Sequence, residues 1–193
     1  METKSSQRQH QAGPFMQKVA FWTITLMHDN PLLPLLRDPY KLLEAAGLKR
    51  GQKVLEVGCG PGFFTIPAAR IVGEEGHVCA VDINPYAVAR VRRKIAREGI
   101  KNVAPLFANA SDTRLPERSI DLAFVVGLGH IAGGQKNVLA EIHRILKTGG
   151  VLSLEHTRGL KGKLIDEVEQ LGFILSERKA RFYMFTKQNN NGG

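Results

Sequence analysis

A glycine-rich turn directly after a short apolar run is the feature that most constrains the fold of this chain. The run covers residues 54–57, and Gly58, Gly60 and Gly62 take alternate positions after it. Glycine adopts positive φ angles and lets the backbone approach a ligand closely, so this arrangement is typical of the first strand–helix turn of a nucleotide-binding α/β fold. A tight turn without a ligand is the alternative interpretation.

Strand and helix patterns alternate after this turn. Short apolar runs predict strands at 54–57, 77–81, 103–107, 122–126 and 151–155. Helical spacing of apolar residues predicts helices at 39–46, 64–72, 85–98, 138–146 and 160–171, the fourth of them ended by Gly149 and Gly150. Two final strands, 173–176 and 182–185, have a connection too short for a parallel crossover and should form a hairpin. The fold class is therefore α/β, with a doubly wound sheet that is mostly parallel, one antiparallel strand near the C-terminus, and helices on both faces.

The 193 residues suit one domain with shorter flanking segments. Residues 1–13 and 188–193 are polar and are expected to be disordered. Residues 14–47 are expected to form a helical lid segment, with a helix at Phe15–His28 followed by a proline-rich connector. Residues 48–187 form the main domain. Trp22 and His28 could line the lid, and ordinary packing is the alternative for both; removing residues 1–37 should weaken substrate selection.

Charge and cysteine content restrict the partners. The formal charge is +9, but the excess is spread along the chain, and its densest part is interpreted as a solvated helix face that contains Arg90, Arg92, Arg93, Lys94 and Arg97. The two cysteines fit neither a zinc site nor a required disulfide, so no metal is expected and a reducing cytoplasm fits. No transmembrane segment or signal peptide is predicted, because the longest apolar stretch is too short. The oligomeric state does not follow from the sequence.

The turn favours an adenosyl ligand without a pyrophosphate. A dinucleotide fingerprint requires a small residue where Phe63 stands, and no Gly-Lys-Ser/Thr sequence follows for a P-loop. Asp82, at the end of the second strand, can accept hydrogen bonds from two ribose hydroxyls. Helix capping is its alternative role, and Asn84 is better placed to cap. After the third strand, Asn109 and Ala110 could contact adenine, with Ile83 packed on the ring.

Four stretches in order resemble the class I S-adenosylmethionine-dependent methyltransferases, in the branch of quinone-biosynthesis and arsenite methyltransferases. They are Val54–Phe63, Ala80–Ile83, Asn109–Leu122 and Glu141–Gly150. The resemblance covers about residues 53–156 and implies a Rossmann-like fold, with S-adenosylmethionine as cofactor and S-adenosylhomocysteine as product.

The resemblance also implies roles for individual residues. Glu56 and the backbone of the turn, which includes Cys59, would hold the methionine moiety. Asp82 would bind the ribose, and Asn109 and Ala110 the adenine. Two positions depart from the family pattern: Asn109 stands where aspartate is usual, which puts affinity in doubt, and Thr148 stands where proline is common.

The expected reaction is in-line methyl transfer to a small-molecule acceptor, for which positioning matters most. A general base is optional. Its candidates at the strand ends are His130, Glu155 and His156, each of which could instead bond to the backbone or cap a turn. The acceptor is not identified: with two cysteines arsenite is disfavoured, and no membrane-binding helix supports a lipid quinone.

Three other functions compete with this interpretation. An RNA methyltransferase would use the positive charge, but the charge is diffuse and no RNA-binding module is attached. A non-catalytic scaffold that binds S-adenosylmethionine is also consistent, because fold alone does not fix function. An NAD-dependent oxidoreductase is disfavoured by Phe63.

Overall fold

The computed structural model describes residues 37–126, 133–155 and 162–189. The predicted helix at Phe15–His28 and the side chains of His130 and His156 lie outside the described residues. The helices are α1 (Pro39–Ala45), α2 (Thr65–Val72), α3 (Pro85–Glu98), α4 (Gln135–Ile145) and α5 (Gly162–Glu169). The strands are β1 (Lys53–Val57), β2 (His77–Asp82), β3 (Val103–Phe107), β4 (Ile120–Val125), β5 (Leu146–Glu155), β6 (Phe173–Lys179) and β7 (Phe182–Lys187).

The seven strands form one sheet in the order β3-β2-β1-β4-β5-β7-β6. The strands from β3 to β5 are parallel, whereas β7 runs antiparallel to both β5 and β6. The strand order reverses between β1 and β4, so the carboxyl ends of these two strands border the crevice in which doubly wound folds bind ligands. The predicted α/β class, with a mostly parallel sheet and one antiparallel strand in a closing hairpin, is confirmed.

Apolar side chains cover both faces of the sheet. One buried cluster joins Leu55 and Val57 of β1 to the inner side of α4, and a second joins Val54 to residues of α1, α2 and α3. Strands covered on both sides are expected to be apolar throughout, and the last four residues of β4 are all buried. Glu56 shares a face with Val54, because side chains alternate along a strand. A carboxyl group is thereby placed inside the second cluster.

The ends of α3 follow the sequence closely. Asn84 Oδ1 accepts a hydrogen bond of 2.9 Å from the N–H of Tyr86, and Pro85 takes the first helical position. Gly99 ends the helix in the left-handed conformation. These contacts confirm Asn84 as the cap, which leaves Asp82 outside the helix.

Helix α4 ends four residues before the predicted glycine stop. Its last residue is Ile145, and Leu146 already belongs to β5. The buried ammonium of Lys187 donates to the carbonyl oxygens of His143 and Leu146 at this end, at 2.6 and 2.8 Å. The N–H of Ser119 donates to the carbonyl of Ile145 in addition. A strand partner and a distant lysine thus satisfy the carbonyl groups that a longer helix would have used.

Two further observations concern the margins of the domain. Gln188, the first residue of the predicted disordered tail, donates its N–H to the carbonyl of Gly172. Residues 190–193 lie outside the described part. Within the described ranges, no helix combines the length and the apolar character needed to cross a bilayer.

Candidate functional site

The glycine turn after β1 presents open backbone at the crevice. Gly58 and Gly60 have φ angles of 74° and 51°, and a Cβ atom added at either position would meet nothing within 4 Å. A Cβ atom on Gly62 would instead lie 3.1 Å from Cγ2 of Val91 on α3. The first two glycines therefore leave space for a ligand, and the third allows close packing of the turn on α3.

The N–H groups of this turn are already bonded within the protein. Gly58 and Cys59 donate to the carbonyl of Val81, Gly60 donates to Asp82, and Gly62 donates to the carbonyl of Cys59. A pyrophosphate-binding turn needs N–H groups directed at the ligand. Four N–H groups of the turn are thus used to hold its own shape.

Asp82 connects the ends of β1 and β2. Its Oδ2 accepts from the N–H of Gly60 at 2.8 Å, and its Oδ1 accepts from the N–H of Asn84 at 2.8 Å. The side chain is partly buried, and burial raises the pKa of the carboxyl group although these hydrogen bonds oppose the shift. Each carboxylate oxygen retains a lone pair, so both can still accept a hydrogen bond from a ligand hydroxyl.

Glu56 is a second carboxyl group at the same turn, and it is fully enclosed. Thr65, the first residue of α2, donates its hydroxyl to Oε2 of Glu56 at 2.6 Å. Burial raises the pKa of Glu56 to about 8; the hydrogen bond from Thr65 opposes this rise, and the negative charge of Asp82 adds to it. Two carboxyl groups of raised pKa therefore lie near the ends of the neighbouring strands β1 and β2. A cationic ligand would stabilise the ionised form of both.

Cys59 lies between these carboxyl groups in sequence and is 4% exposed. Burial raises the pKa of its thiol above the usual range, and the charges of Glu56 and Asp82 act in the same direction. The thiol consequently stays protonated at neutral pH and contributes shape rather than nucleophilicity. Cys79 is also buried and free, as expected for a small apolar side chain.

The other predicted contacts lie in the loop after β3 and, for Ile83, directly after β2. Ile83 is 44% exposed, Asn109 is exposed, and Ala110 is buried. Asn109 Oδ1 accepts from the N–H of Ser111 at 3.0 Å, so its side chain is oriented by its own loop. An added Cβ atom on Gly133 would approach that oxygen to 2.4 Å, which shows how closely the segment before α4 covers Asn109. The N–H of Ala108 donates to the carbonyl of Asp82 and ties this loop to β2.

Glu155, the catalytic candidate within the described residues, is ion-paired. Its Oε1 lies 2.5 Å from Nη2 of Arg37 and 3.3 Å from Nη2 of Arg181, and the side chain is 3% exposed. The guanidinium carbon of Arg37 lies 5.5 Å from the ring centroid of Phe64 at the start of α2. These contacts connect the end of β5 to the segment next to the glycine turn.

The structure brings together Glu56, the glycine turn and Asp82, and it places Ile83, Asn109 and Ala110 along the adjoining strand end. The sequence did not point to Thr65, Arg37 or Arg181. For Thr65 a signal existed, because a hydroxyl at the start of a helix can reach back to a strand-end carboxylate. No local pattern connects Arg37 to Glu155, which is 118 residues away.

Comparison with known proteins shows which family has this sequence and fold. Residues 54–150 match the family model described as a methyltransferase domain, which is half of the chain. The chain belongs to the class I S-adenosylmethionine-dependent methyltransferase family. S-adenosylmethionine is the cofactor of this methyltransferase domain.

The methyltransferase domain is similar in sequence to proteins of quinone biosynthesis. The ubiquinone/menaquinone biosynthesis C-methyltransferase UbiE of Psychromonas ingrahamii is 37% identical over 112 residues, which are 57% of this chain and 44% of that protein. The chain spans about half the length of the curated relatives it matches.

Solved structures share the fold. A methyltransferase from Aquifex aeolicus superimposes with a TM-score of 0.70 at 24% identity, over 87% of this chain and 95% of that one. The 1,6-didemethyltoxoflavin-N1-methyltransferase of Burkholderia thailandensis, solved with bound 1,6-didemethyltoxoflavin and S-adenosylhomocysteine, superimposes with a TM-score of 0.66 at 18% identity, over 98% of this chain and 94% of that one.

Proposed function

We propose that the chain transfers a methyl group from S-adenosylmethionine to a small-molecule acceptor. One observation carries this proposal: Gly58 and Gly60 leave open space beside the backbone of the turn, and the carboxyl groups of Glu56 and Asp82 lie at the ends of the two adjoining strands. A ligand with a sulfonium and an ammonium group, a ribose and no phosphate fits this combination of open space and negative charge.

Each residue of the site has a proposed role. Glu56 and the backbone from Gly58 to Gly62, including Cys59, hold the methionine part. Asp82 accepts hydrogen bonds from the ribose hydroxyls. Ile83, Asn109 and Ala110 contact the adenine.

The chemistry of the transfer requires little from the protein beyond alignment. S-adenosylmethionine, held by Glu56, the glycine turn and Asp82, would supply an activated methyl group to a lone pair of the acceptor and would leave as S-adenosylhomocysteine. The proton that the acceptor loses would pass to water or to a side chain. The chain orients the two reactants and excludes water from between them. His130, Glu155 and His156 remain the proposed candidates for receiving the proton, and residues 14–47 remain the proposed lid segment.

The test begins with binding. Titration calorimetry of the full chain with S-adenosylhomocysteine and with NAD should show saturable binding of the first alone. Incubation with labelled S-adenosylmethionine and fractionated metabolites should then transfer label to a small molecule. Binding of NAD in place of S-adenosylhomocysteine would contradict the proposal.

The name of the UbiE relative supports a small acceptor, as does that of the toxoflavin enzyme. For RNA as acceptor, the same assay with total RNA gives the comparison, because methylation of RNA should fall steeply with salt whereas transfer to a small neutral acceptor should not. A protein that binds the cofactor and labels neither would be a scaffold.

A further inference from the structure

Two arginines share one carboxylate at the end of β5. Arg37 and Arg181 both approach Oε1 of Glu155, and neither guanidinium is fully enclosed, with 28% and 43% of the side chains exposed. The neighbouring acid Asp38 is engaged elsewhere, because it accepts from the N–H groups of Tyr40 and Lys41 at the start of α1. The cluster of Arg37, Glu155 and Arg181 therefore carries one more positive charge than negative charge.

The cluster also contains an unsatisfied donor. Nε of Arg37 is buried and has no hydrogen-bond partner within the part of the chain that the structure describes. A buried N–H group without an acceptor is unfavourable by roughly 1–3 kcal/mol, and more when the group is charged. An oxygen atom of an anionic ligand would remove this deficit and compensate the surplus charge.

The position of the cluster relates it to methyl transfer. Glu155 ends β5, which lies two strands from β1 in the sheet, so the carboxyl ends of β1 and β5 are roughly 10 Å apart. Phe64 lies under Arg37 and follows the glycine turn after two residues. The cluster thus stands at the same edge of the sheet as the proposed cofactor site, displaced along the sheet by about the width of a small molecule.

We propose that this cluster binds a carboxylate of the methyl acceptor, so that the acceptor is a small organic acid. This inference rests on the proposed function. Arg37 donates through Nε and Arg181 through its remaining N–H groups, while Glu155 fixes both guanidinium groups in place. In this arrangement Glu155 is a positioning residue, and receiving the proton is left to the other two candidates. Phe64 is buried beneath Arg37 and supports its guanidinium group from below. The bidentate geometry of guanidinium groups favours carboxylates over single-atom anions.

The experiment uses the full chain saturated with S-adenosylhomocysteine, and benzoate as the probe, with benzamide as its neutral counterpart of equal shape. Titration is followed by the Nε–Hε nuclear magnetic resonance signals of arginine. Benzoate should shift the Arg37 signal saturably, and benzamide should leave it in place. Binding of S-adenosylhomocysteine alone is first measured by calorimetry. If it does not bind, the proposed function fails. If it binds but benzoate does not, only the present inference fails.

Substitutions of single arginines test whether benzoate binds at this cluster. Arg181→Gln should weaken benzoate binding by about tenfold or more, the effect of losing one charge-assisted hydrogen bond, with affinity for S-adenosylhomocysteine unchanged. Arg37→Lys keeps the charge but removes Nε–H, and should weaken benzoate binding while preserving the fold. Arg178→Gln is the matched control, because Arg178 lies on β6 over the ring of Tyr183. Equal binding of benzoate and benzamide, no saturable shift of Arg37, or unchanged benzoate affinity in Arg181→Gln would each overturn the inference.

Discussion

The hydroxyl of Thr65 donates to Oε2 of Glu56 over 2.6 Å, inside a part of the protein that water does not reach. The hydrogen bond favours the ionised carboxylate, but burial favours the neutral acid more strongly, and the pKa of Glu56 is raised to about 8. Glu56 is therefore held in one orientation by Thr65 and is mostly protonated at neutral pH. A group in this condition can respond to a cation by releasing its proton.

Cofactor binding should be coupled to this proton. A sulfonium or ammonium group near Glu56 stabilises its carboxylate, so binding below pH 8 releases a proton and becomes weaker as the pH falls. We expect the affinity for S-adenosylmethionine to rise by up to about tenfold per pH unit between roughly pH 6 and 8, and to level off above that. Calorimetry in buffers of different ionisation enthalpy measures the released proton directly. Proton release that persists in Glu56→Gln would assign the coupling to another group.

The same pKa shift predicts how the ligand-free protein responds to pH. The folded-state pKa of Glu56 lies above its ordinary value of 4.5, so the native state holds the proton more tightly than the unfolded chain. The associated stability is present below pH 4.5 and is lost as the pH rises through about 8. Glu56→Gln should therefore raise the free energy of unfolding at pH 8.5 by roughly 1–3 kcal/mol, and by much less at pH 5. Urea denaturation at the two pH values checks this. A variant less stable than the parent at pH 8.5 would contradict it.

Substitutions of Asp82 and Asn84 should affect different properties, the first mainly cofactor affinity and the second mainly the free energy of unfolding. Asp82→Ala removes the acceptor proposed for the ribose hydroxyls, and should weaken S-adenosylhomocysteine binding by about 1–3 kcal/mol in calorimetry. Asn84→Ala removes the cap of α3 and should lower the free energy of unfolding by about 0.5–2 kcal/mol while leaving affinity almost unchanged. If the Asn84 variant lost as much affinity as the Asp82 variant, the ribose assignment would fail.

The sequence predicts the parts of this molecule that depend on local pattern. The order of elements, the capping by Asn84 and the hairpin of β6 and β7 follow from spacing and from residues that start or end helices. The contact of Lys187 with the end of α4 did not follow, because the two lie more than forty positions apart. The ion pair of Arg37 with Glu155 was equally inaccessible. Long-range polar contacts have no periodicity, so a sequence shows which residues could make them but not which residues meet.

Substitution by alanine should have different effects at the different glycines of the turn. Gly60→Ala places the new Cβ atom in open space, so its cost is the positive φ angle of about 1–2 kcal/mol together with loss of cofactor binding. Gly62→Ala adds a contact of 3.1 Å with Val91 and should reduce stability further. Gly99→Ala, also at positive φ with free space but at the end of α3, is the matched control and should reduce stability alone. Thermal denaturation and calorimetry distinguish the three. Normal cofactor affinity in Gly60→Ala would show that the ligand does not approach this backbone.

Thr113 and Glu141 should stabilise the loop that carries the proposed adenine contacts. Glu141 Oε1 accepts from the N–H and the hydroxyl of Thr113 at 3.0 and 2.6 Å, and Arg144 pairs with the same carboxylate. Burial opposes ionisation of Glu141, but the bonds to Arg144 and Thr113 outweigh it and lower the pKa.

Thr113→Val keeps the shape of the side chain and removes one of these bonds, so it should lower the free energy of unfolding by about 1–3 kcal/mol at pH 7. The loss should shrink as the pH falls through the lowered pKa of Glu141, where the parent protein loses the same stabilisation. Affinity for S-adenosylhomocysteine should also decrease, since the loop from Asn109 to Thr113 is released. Ser119→Ala is the control, because its hydroxyl bonds to Pro116 at the exposed end of the same loop. Equal effects of the two variants on affinity would show that Glu141 supports the domain in general and not the adenine loop.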